Sequence, residues 1–301
     1  MRQQKAFTLV ELLVVISIIA LLISLLLPSL AKARKDSLST VCLSNLRELG
    51  QATIEYSDAN SGTMIPYGWD FPFYGTTGDD AAQYNLGWTR LLAPYLSGQR
   101  VPYLPGTQED SEPRSVLAIM TCPSTTNLPN IPGSWGPGSA TAAWRQWNAD
   151  GSDPQGGWIG SYGFNGWAYS GNHGQGLFGY ICQNLSSYQA NQGVRNYFWT
   201  KSTINSSVPL IGDCVWEDGF PLWNDPVPTG LTGDAMSNMP SSTFQAGVGT
   251  GMMGMFCINR HSMAVNFVFA DGHGEHVPLG DLWKLRWTPN WQAKNVVVNG
   301  N

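Results

Sequence analysis

The sequence predicts an α+β protein: a long N-terminal helix packed on an antiparallel β-sheet head with extensive loops. Three observations predict it. Residues 7–27, FTLVELLVVISIIALLISLLL, are almost purely apolar, and helical spacing of apolar residues continues past them to about Ser57. Short apolar runs in the C-terminal half end in turn residues, most clearly where Met263–Ala270 meets Asp271-Gly272. Between these lies text with 34 Gly, 19 Pro, 13 Trp, 11 Tyr and 11 Phe, while only 12% of the chain is charged. That composition suits a turn-rich head packed on rings and excludes a disordered tail, which would be poor in aromatics.

The first element is the apolar helix. No residue from Leu12 to Ala31 is charged. Twenty helical residues span roughly 30 Å, the thickness of a bilayer's hydrocarbon core. Arg2 and Lys5 precede the run and Lys32, Arg34 and Lys35 follow it, so charge on both sides leaves orientation ambiguous. The run is too long for a secretory signal peptide and lacks an A-x-A-like site at its end. A plain membrane anchor fits the length but not the acid Glu11, because a carboxylate near the start of a membrane-length helix is costly. Beyond the run, Leu38, Val41–Cys42, Leu46 and Leu49 form one stripe, with Arg34, Lys35, Asp36, Arg47 and Glu48 mostly off it. A globular head can grip such a half-helix. Asp58-Ala-Asn-Ser-Gly62 ends it with turn formers.

The head then follows in order. Trp88–Leu96 reads as a short helix stopped by Pro94, and Gln99–Glu112 as a loop. Val116–Met120 reads as a short strand ending at Cys122-Pro123. Asn127–Gly157 reads as a long surface excursion, Val208–Val215 as a buried strand and Pro221–Gly254 as another loop-rich stretch. Met263–Ala270 and His273–Leu279 make the closing hairpin, with Asp271-Gly272 as a type I′ turn. Trp144, Trp147, Trp158, Trp167 and Tyr169 lie in Gly-rich segments, where packing of a loop-rich core is favoured over sugar stacking.

Formal net charge is −5, and no basic stripe exists beyond the Lys32–Lys35 cluster, so nucleic-acid binding is not expected. The five cysteines, at 42, 122, 182, 214 and 257, form no CxxC pair, which argues against a zinc ribbon. Five is odd, so at least one thiol stays free or pairs between chains.

Ala6-Phe7-Thr8-Leu9-Val10-Glu11, behind a basic leader and ahead of an uninterrupted apolar span, closely resembles the processing site of type IV prepilins and type II secretion pseudopilins. The resemblance implies a pilin-like fold. It also implies cleavage by a prepilin peptidase between Ala6 and Phe7 and methylation of the new N-terminus at Phe7. The family usually has Gly before the cut, and Ala6 is a small-residue variant. Glu11 is retained, and in a bundle of such helices its carboxylate can pair with a neighbour's N-terminal ammonium, offsetting the burial of both charges. The organisation implied is a leader over 1–6, a transmembrane and amphipathic helix over 7–57, and a head over 58–301. The chain would cross the cytoplasmic (inner) membrane once before assembly, with its head outside the cytoplasm.

A second resemblance involves His261, nine residues, then Asp271-Gly272, together with Cys42-Leu-Ser-Asn-Leu-Arg-Glu-Leu-Gly50, Cys122-Pro-Ser124, Ser161-Tyr-Gly-Phe-Asn-Gly166 and Asp213. It is similar to the H-X9-DG domain found in many prepilin-like proteins. A Cys42–Cys122 disulfide is the pairing expected, since both cysteines lie in those motifs and the implied compartment is oxidising. A straight strand of eight residues would hold His261 and Asp271 about 30 Å apart. Asp271-Gly272 is therefore read as a turn, and His261 as bonded to a neighbouring loop. No metal or other cofactor is expected. A divalent cation held by Asp271 or His273 with a distant residue such as Asp213 is the alternative, and catalysis is the least favoured reading, since no nucleophile elbow, HExxH or P-loop is present.

The expected role is structural: a subunit of a type IV pilus-like or type II secretion pseudopilus filament, with the prepilin peptidase, other pilin-like subunits and the inner membrane as partners. The rivals are a non-polymerising anchored protein whose aromatic head binds polysaccharide and, third, an anchored hydrolase.

Overall fold

A computed structural model describes residues 9–65, 88–96, 118–125, 137–146, 158–170, 197–228, 230–232 and 252–300. Helix α1 (Leu9–Ala59) runs unbroken for 51 residues, through Pro28. It ends where the sequence supplies turn formers: Asn60 Nδ2 donates to Tyr56 O at 2.8 Å, and the Gly62 N–H closes on Ser57 O with Gly62 at φ +77°. A left-handed glycine after the last turn satisfies carbonyls that the helix leaves open.

The head is α+β. Helix α2 (Trp88–Leu96) lies against α1, with Tyr95 edge-on to Tyr56 at 5.8 Å. Strands β1 (Trp144–Gln146) and β2 (Trp158–Gly160) form a small antiparallel ribbon. The main sheet contains β3 (Tyr162–Asn165), β4 (Pro209–Asp213), β5 (Asp218–Gly219), β6 (Ala264–Phe269) and β7 (Gly274–Pro278), in the order β5-β3-β4-β6-β7. Helix α3 (Met253–Phe256) is a single turn beside β5. The half-helix of α1 lies across β4, β6 and β7.

β3, β4 and β6 are buried along their whole length, as strands covered on both faces should be. One face meets α1 through Cys42, Leu46, Leu49 and Ala52. Gly50 permits the close approach: a Cβ there would stand 2.4 Å from Val268 Cγ2. Rings fill the rest of the core. Phe256 and Phe267 pack on Trp287, and Phe164 stacks on Tyr169 at 4.7 Å. Trp144, Trp167 and Tyr169 are buried, so these three pack the core; Trp147 and the Trp158 side chain lie outside the described residues.

Five expectations are corrected. The sheet is mixed, because the two-residue β5 pairs parallel to β3. Helix α2 runs two residues past Pro94, since a proline removes one bond from a turn that packing on α1 otherwise holds. Within Val116–Met120, residues 118–120 are helical rather than extended; five apolar residues do not distinguish a strand from a buried helical turn. The Asn127–Gly157 excursion contains β1, pinned by burial of Trp144, whose indole N–H donates to Tyr162 O at 3.0 Å. The Gln99–Glu112 loop lies outside the described residues.

The fifth correction concerns the hairpin turn. Gly272 has φ +84°, but Asp271 is not left-handed. The Gly272 N–H bonds Phe269 O at 2.9 Å and the Phe269 N–H bonds His273 O at 2.9 Å. The loop is therefore three residues long, a turn over Ala270-Asp271 followed by a left-handed glycine, rather than type I′. Asp271 Oδ1 accepts the backbone N–H of His273 at 3.1 Å and also contacts the His273 ring. Gly272→Val should lower the melting temperature of the head by several degrees, about what a loss of 1–2 kcal/mol produces. Its Cβ would sit 3.3 Å from Ile54 Cδ1 in a conformation that β-branched residues avoid. Asp271→Asn should change the melting temperature little, because an amide oxygen accepts the same N–H and the ion pair with His273 is half exposed. Thermal melts of both variants check this, and a large loss in Asp271→Asn alone would contradict it.

Candidate functional site

Two regions combine side chains in ways that packing alone does not require. The first is the N-terminal half of α1. Residues 9–37 are exposed along their entire length, and over 9–31 this surface is Leu, Ile and Val interrupted only by small residues, Glu11 and Pro28. This is a helix long and apolar enough to cross a membrane, and none of the described residues buries its apolar window. Ser17, Ser24 and Ser29 return their hydroxyls to carbonyls one turn back, which removes free donors from the apolar surface. Glu11 stands in the first turn, where the helix dipole favours an anion. Ala6 and Phe7 lie outside the described residues.

The second region is a buried polar cluster where β4, β6 and α1 meet. Asp213 closes the apolar run Pro209–Asp213 with no exposed surface. A carboxylate in that position requires compensation. Arg260 Nη1 bonds Asp213 Oδ1 at 3.0 Å, and His261 Nε2 lies 3.2 Å from Asp213 Oδ2. The Asn266 N–H donates to Oδ2 at 2.7 Å. The remaining guanidinium donors go to carbonyls: Ser139 O at 2.8 Å, Cys214 O at 3.2 Å, Ala140 O at 3.3 Å and Ser161 O. Burial alone would raise the Asp213 pKa, but the hydrogen bond from His261 and the charge of Arg260 outweigh it and hold it below the usual carboxylate value. In the sequence Arg260 stands only as the residue before His261, just ahead of the apolar run Met263–Ala270. The legible signal was the acid ending a buried strand, which implies a buried cation elsewhere in the chain.

The cluster reaches α1. Cys42 of α1 and Cys122 are joined by a disulfide across 80 residues, and His261 Nε2 stands 3.5 Å from Cys122 Sγ. Asn45 Nδ2 donates to Thr121 O at 3.2 Å, and Asn266 Nδ2 donates to Ser39 O at 3.0 Å. The His276 ring meets Asn266 Oδ1 at 2.9 Å. The helix is thus tied to the head covalently and by polar contacts at consecutive turns.

The structure separates the two ends of the His261-x9-Asp271-Gly272 pattern. His261 precedes β6 and joins the buried cluster, while Asp271 follows β6 in an exposed turn. The partner expected for His261 was a neighbouring loop; its partner is instead the Asp213 carboxylate. The alternative cation pairing of Asp213 with Asp271 or His273 is excluded by the same placement, since Asp213 faces Arg260 and His261. Cys214 and Cys257 are buried free thiols, and Cys182 lies outside the described residues. Two further buried acids went unnoticed in the sequence. Burial pushes Asp218 up to about 7, although Tyr169 Oη donates to it, and pushes Asp225 up to about 6.

Comparison with known proteins gives one match. Residues 1–27 fit the model of the prokaryotic N-terminal methylation motif. No curated protein and no solved structure matches the chain. The motif implies processing by a prepilin peptidase and membrane association, and with the exposed apolar helix it fits a single-pass membrane anchor. Over its N-terminal segment, the chain is similar to a type IV prepilin or pseudopilin.

Proposed function

We propose that the chain is a structural subunit of a type IV pilus-like or type II secretion pseudopilus filament, cleaved between Ala6 and Phe7 and methylated at Phe7. The observation that carries this reading is the division of α1. Its second half is built into the head, while residues 9–31 present apolar surface on every side. Lipid satisfies that surface before assembly, and the same surface of neighbouring subunits satisfies it in a filament core. The role is structural rather than catalytic, and its partners are the peptidase, other pilin-like subunits and the inner membrane.

Glu11 sets the register in this account. A carboxylate in the first turn, four residues after a new N-terminal ammonium, can pair with the ammonium of the adjacent subunit. One buried pair per subunit fixes axial stagger, as a buried polar residue fixes register in a coiled coil. Glu11→Ala should therefore insert into the membrane at least as readily as wild type, having lost a charge from the apolar span. It should yield no filaments, because each neighbour's ammonium is left without its partner. Membrane fractionation and electron microscopy of sheared filaments check both halves. A normal filament yield from Glu11→Ala would refute the register argument.

A further inference from the structure

The side chains that hold α1 to the head also make up a ligand set. Cys42 Sγ, Cys122 Sγ and a ring nitrogen of His261 all lie within 4.8 Å of one another, and all three residues are buried. Asp213 Oδ2, 3.2 Å from His261 Nε2, is the carboxylate beside this set and the candidate for a fourth donor. Two thiolates, an imidazole and a carboxylate suit zinc, which takes nitrogen, sulfur and oxygen ligands in a tetrahedron. Charge also balances: two thiolates and Asp213 oppose one divalent ion and the Arg260 guanidinium, leaving the buried cluster neutral. Arg260 already fixes Asp213 through its other oxygen, Oδ1, and so orients the carboxylate as an outer partner orients a metal ligand.

We propose that Cys42, Cys122, His261 and Asp213 form a zinc site in the reduced protein, and that disulfide and metal are alternative locks between α1 and the head. In the oxidised chain the two sulfurs are bonded to each other, carry no charge and are poor ligands. A dithiol reductant gives two electrons and two protons to the Cys42–Cys122 bond, leaving two protein thiols and becoming a disulfide itself. Zinc then displaces both thiol protons to solvent and bonds the two thiolates. Either state joins residue 42 of the helix to residue 122 of the head, so the grip on α1 survives a change of redox conditions as long as zinc is present.

The wild-type full chain in detergent provides the test, because its oxidised form is an internal control. The thiols of Cys214 and Cys257 are free there as well, so among the described cysteines the Cys42–Cys122 pair is the one that differs between the two forms. Oxidised and phosphine-reduced protein are each dialysed anaerobically against zinc, and metal content is measured. The expected result is one zinc ion per reduced chain and none per oxidised chain, with zinc-edge X-ray absorption showing two sulfurs and two lighter donors. His261→Asn should lose the reduced form's zinc while peptide mapping still finds the Cys42–Cys122 bond in its oxidised form. Equal zinc in the oxidised and reduced wild type, no zinc in either, or a sulfur count other than two would overturn the proposal.

Discussion

Asp213→Ala is expected to destabilise the head by about 3–5 kcal/mol, the usual consequence of removing one partner from a buried ion pair. The figure reflects what is left behind. Arg260 would remain buried with its charge uncompensated, held only by carbonyl oxygens, and His261 would lose its carboxylate. The Asn266 N–H would also lose its acceptor in the middle of the sheet. Replacing both charges is a different experiment: Asp213→Leu with Arg260→Met should recover part of the loss, since two apolar side chains leave no stranded charge. Denaturant melts of the detergent-solubilised chain measure both. If Asp213→Ala costs less than about 1 kcal/mol, the cluster does not hold the head together.

The same residue sets an acid limit. Its pKa is lower in the folded chain than in the unfolded one, so its stabilisation is complete above the ordinary carboxylate value of about 4 and is lost as pH falls through the folded value. Asp218 and Asp225 act in the opposite sense. Their folded values, about 7 and about 6, lie above the unfolded value of about 4, so their cost is absent below about 4, grows as pH rises from there and is complete above the folded values. These three acids together should therefore place the maximum of wild-type stability near the ordinary carboxylate value, about 4. Asp213→Ala should flatten the acid limb and leave the other unchanged.

Loss of the disulfide is the second large effect. A link across 80 residues restricts the unfolded chain by about 4–5 kcal/mol on the chain-entropy estimate. Cys122→Ala should approach that loss, and it should also loosen α1 specifically. Asn45, Asn266 and the burial of Leu46 and Leu49 remain to hold the half-helix, but none is covalent. Hydrogen exchange along residues 38–57 should then rise more than exchange in β4 and β6. Non-reducing peptide mapping of the wild type comes first: a free Cys42, or another partner for it, removes the basis of this prediction.

The division between helix and head was legible because periodicity is a strong signal over fifty residues. Leu46 and Leu49 on one stripe are buried as their spacing requires, and the turn formers at 58–62 stand where the helix ends. The closing hairpin was legible for a similar reason: an apolar run into Asp-Gly has few other solutions. Its turn type was not, because Asp-Gly serves both the two-residue loop and the three-residue loop, and in the structure Ala270 joins the loop as its first residue. The buried cluster was half legible. An acid ending the strand Pro209–Asp213 calls for a cation, but sequence separation of 47 residues hid that the cation was Arg260. Distances along a strand correctly kept His261 and Asp271 apart, yet no local pattern could show that His261 turns back onto Asp213 and the Cys42–Cys122 bond.

The account stands most directly on the mature N-terminus. The chain should be purified from its native membrane, and the intact mass and N-terminal peptide should be measured. The account predicts a chain that begins at Phe7 and carries one methyl group on its α-amine, with Glu11 unmodified. Intact Met1 in the membrane-inserted protein, or a chain beginning near residue 30, would contradict it.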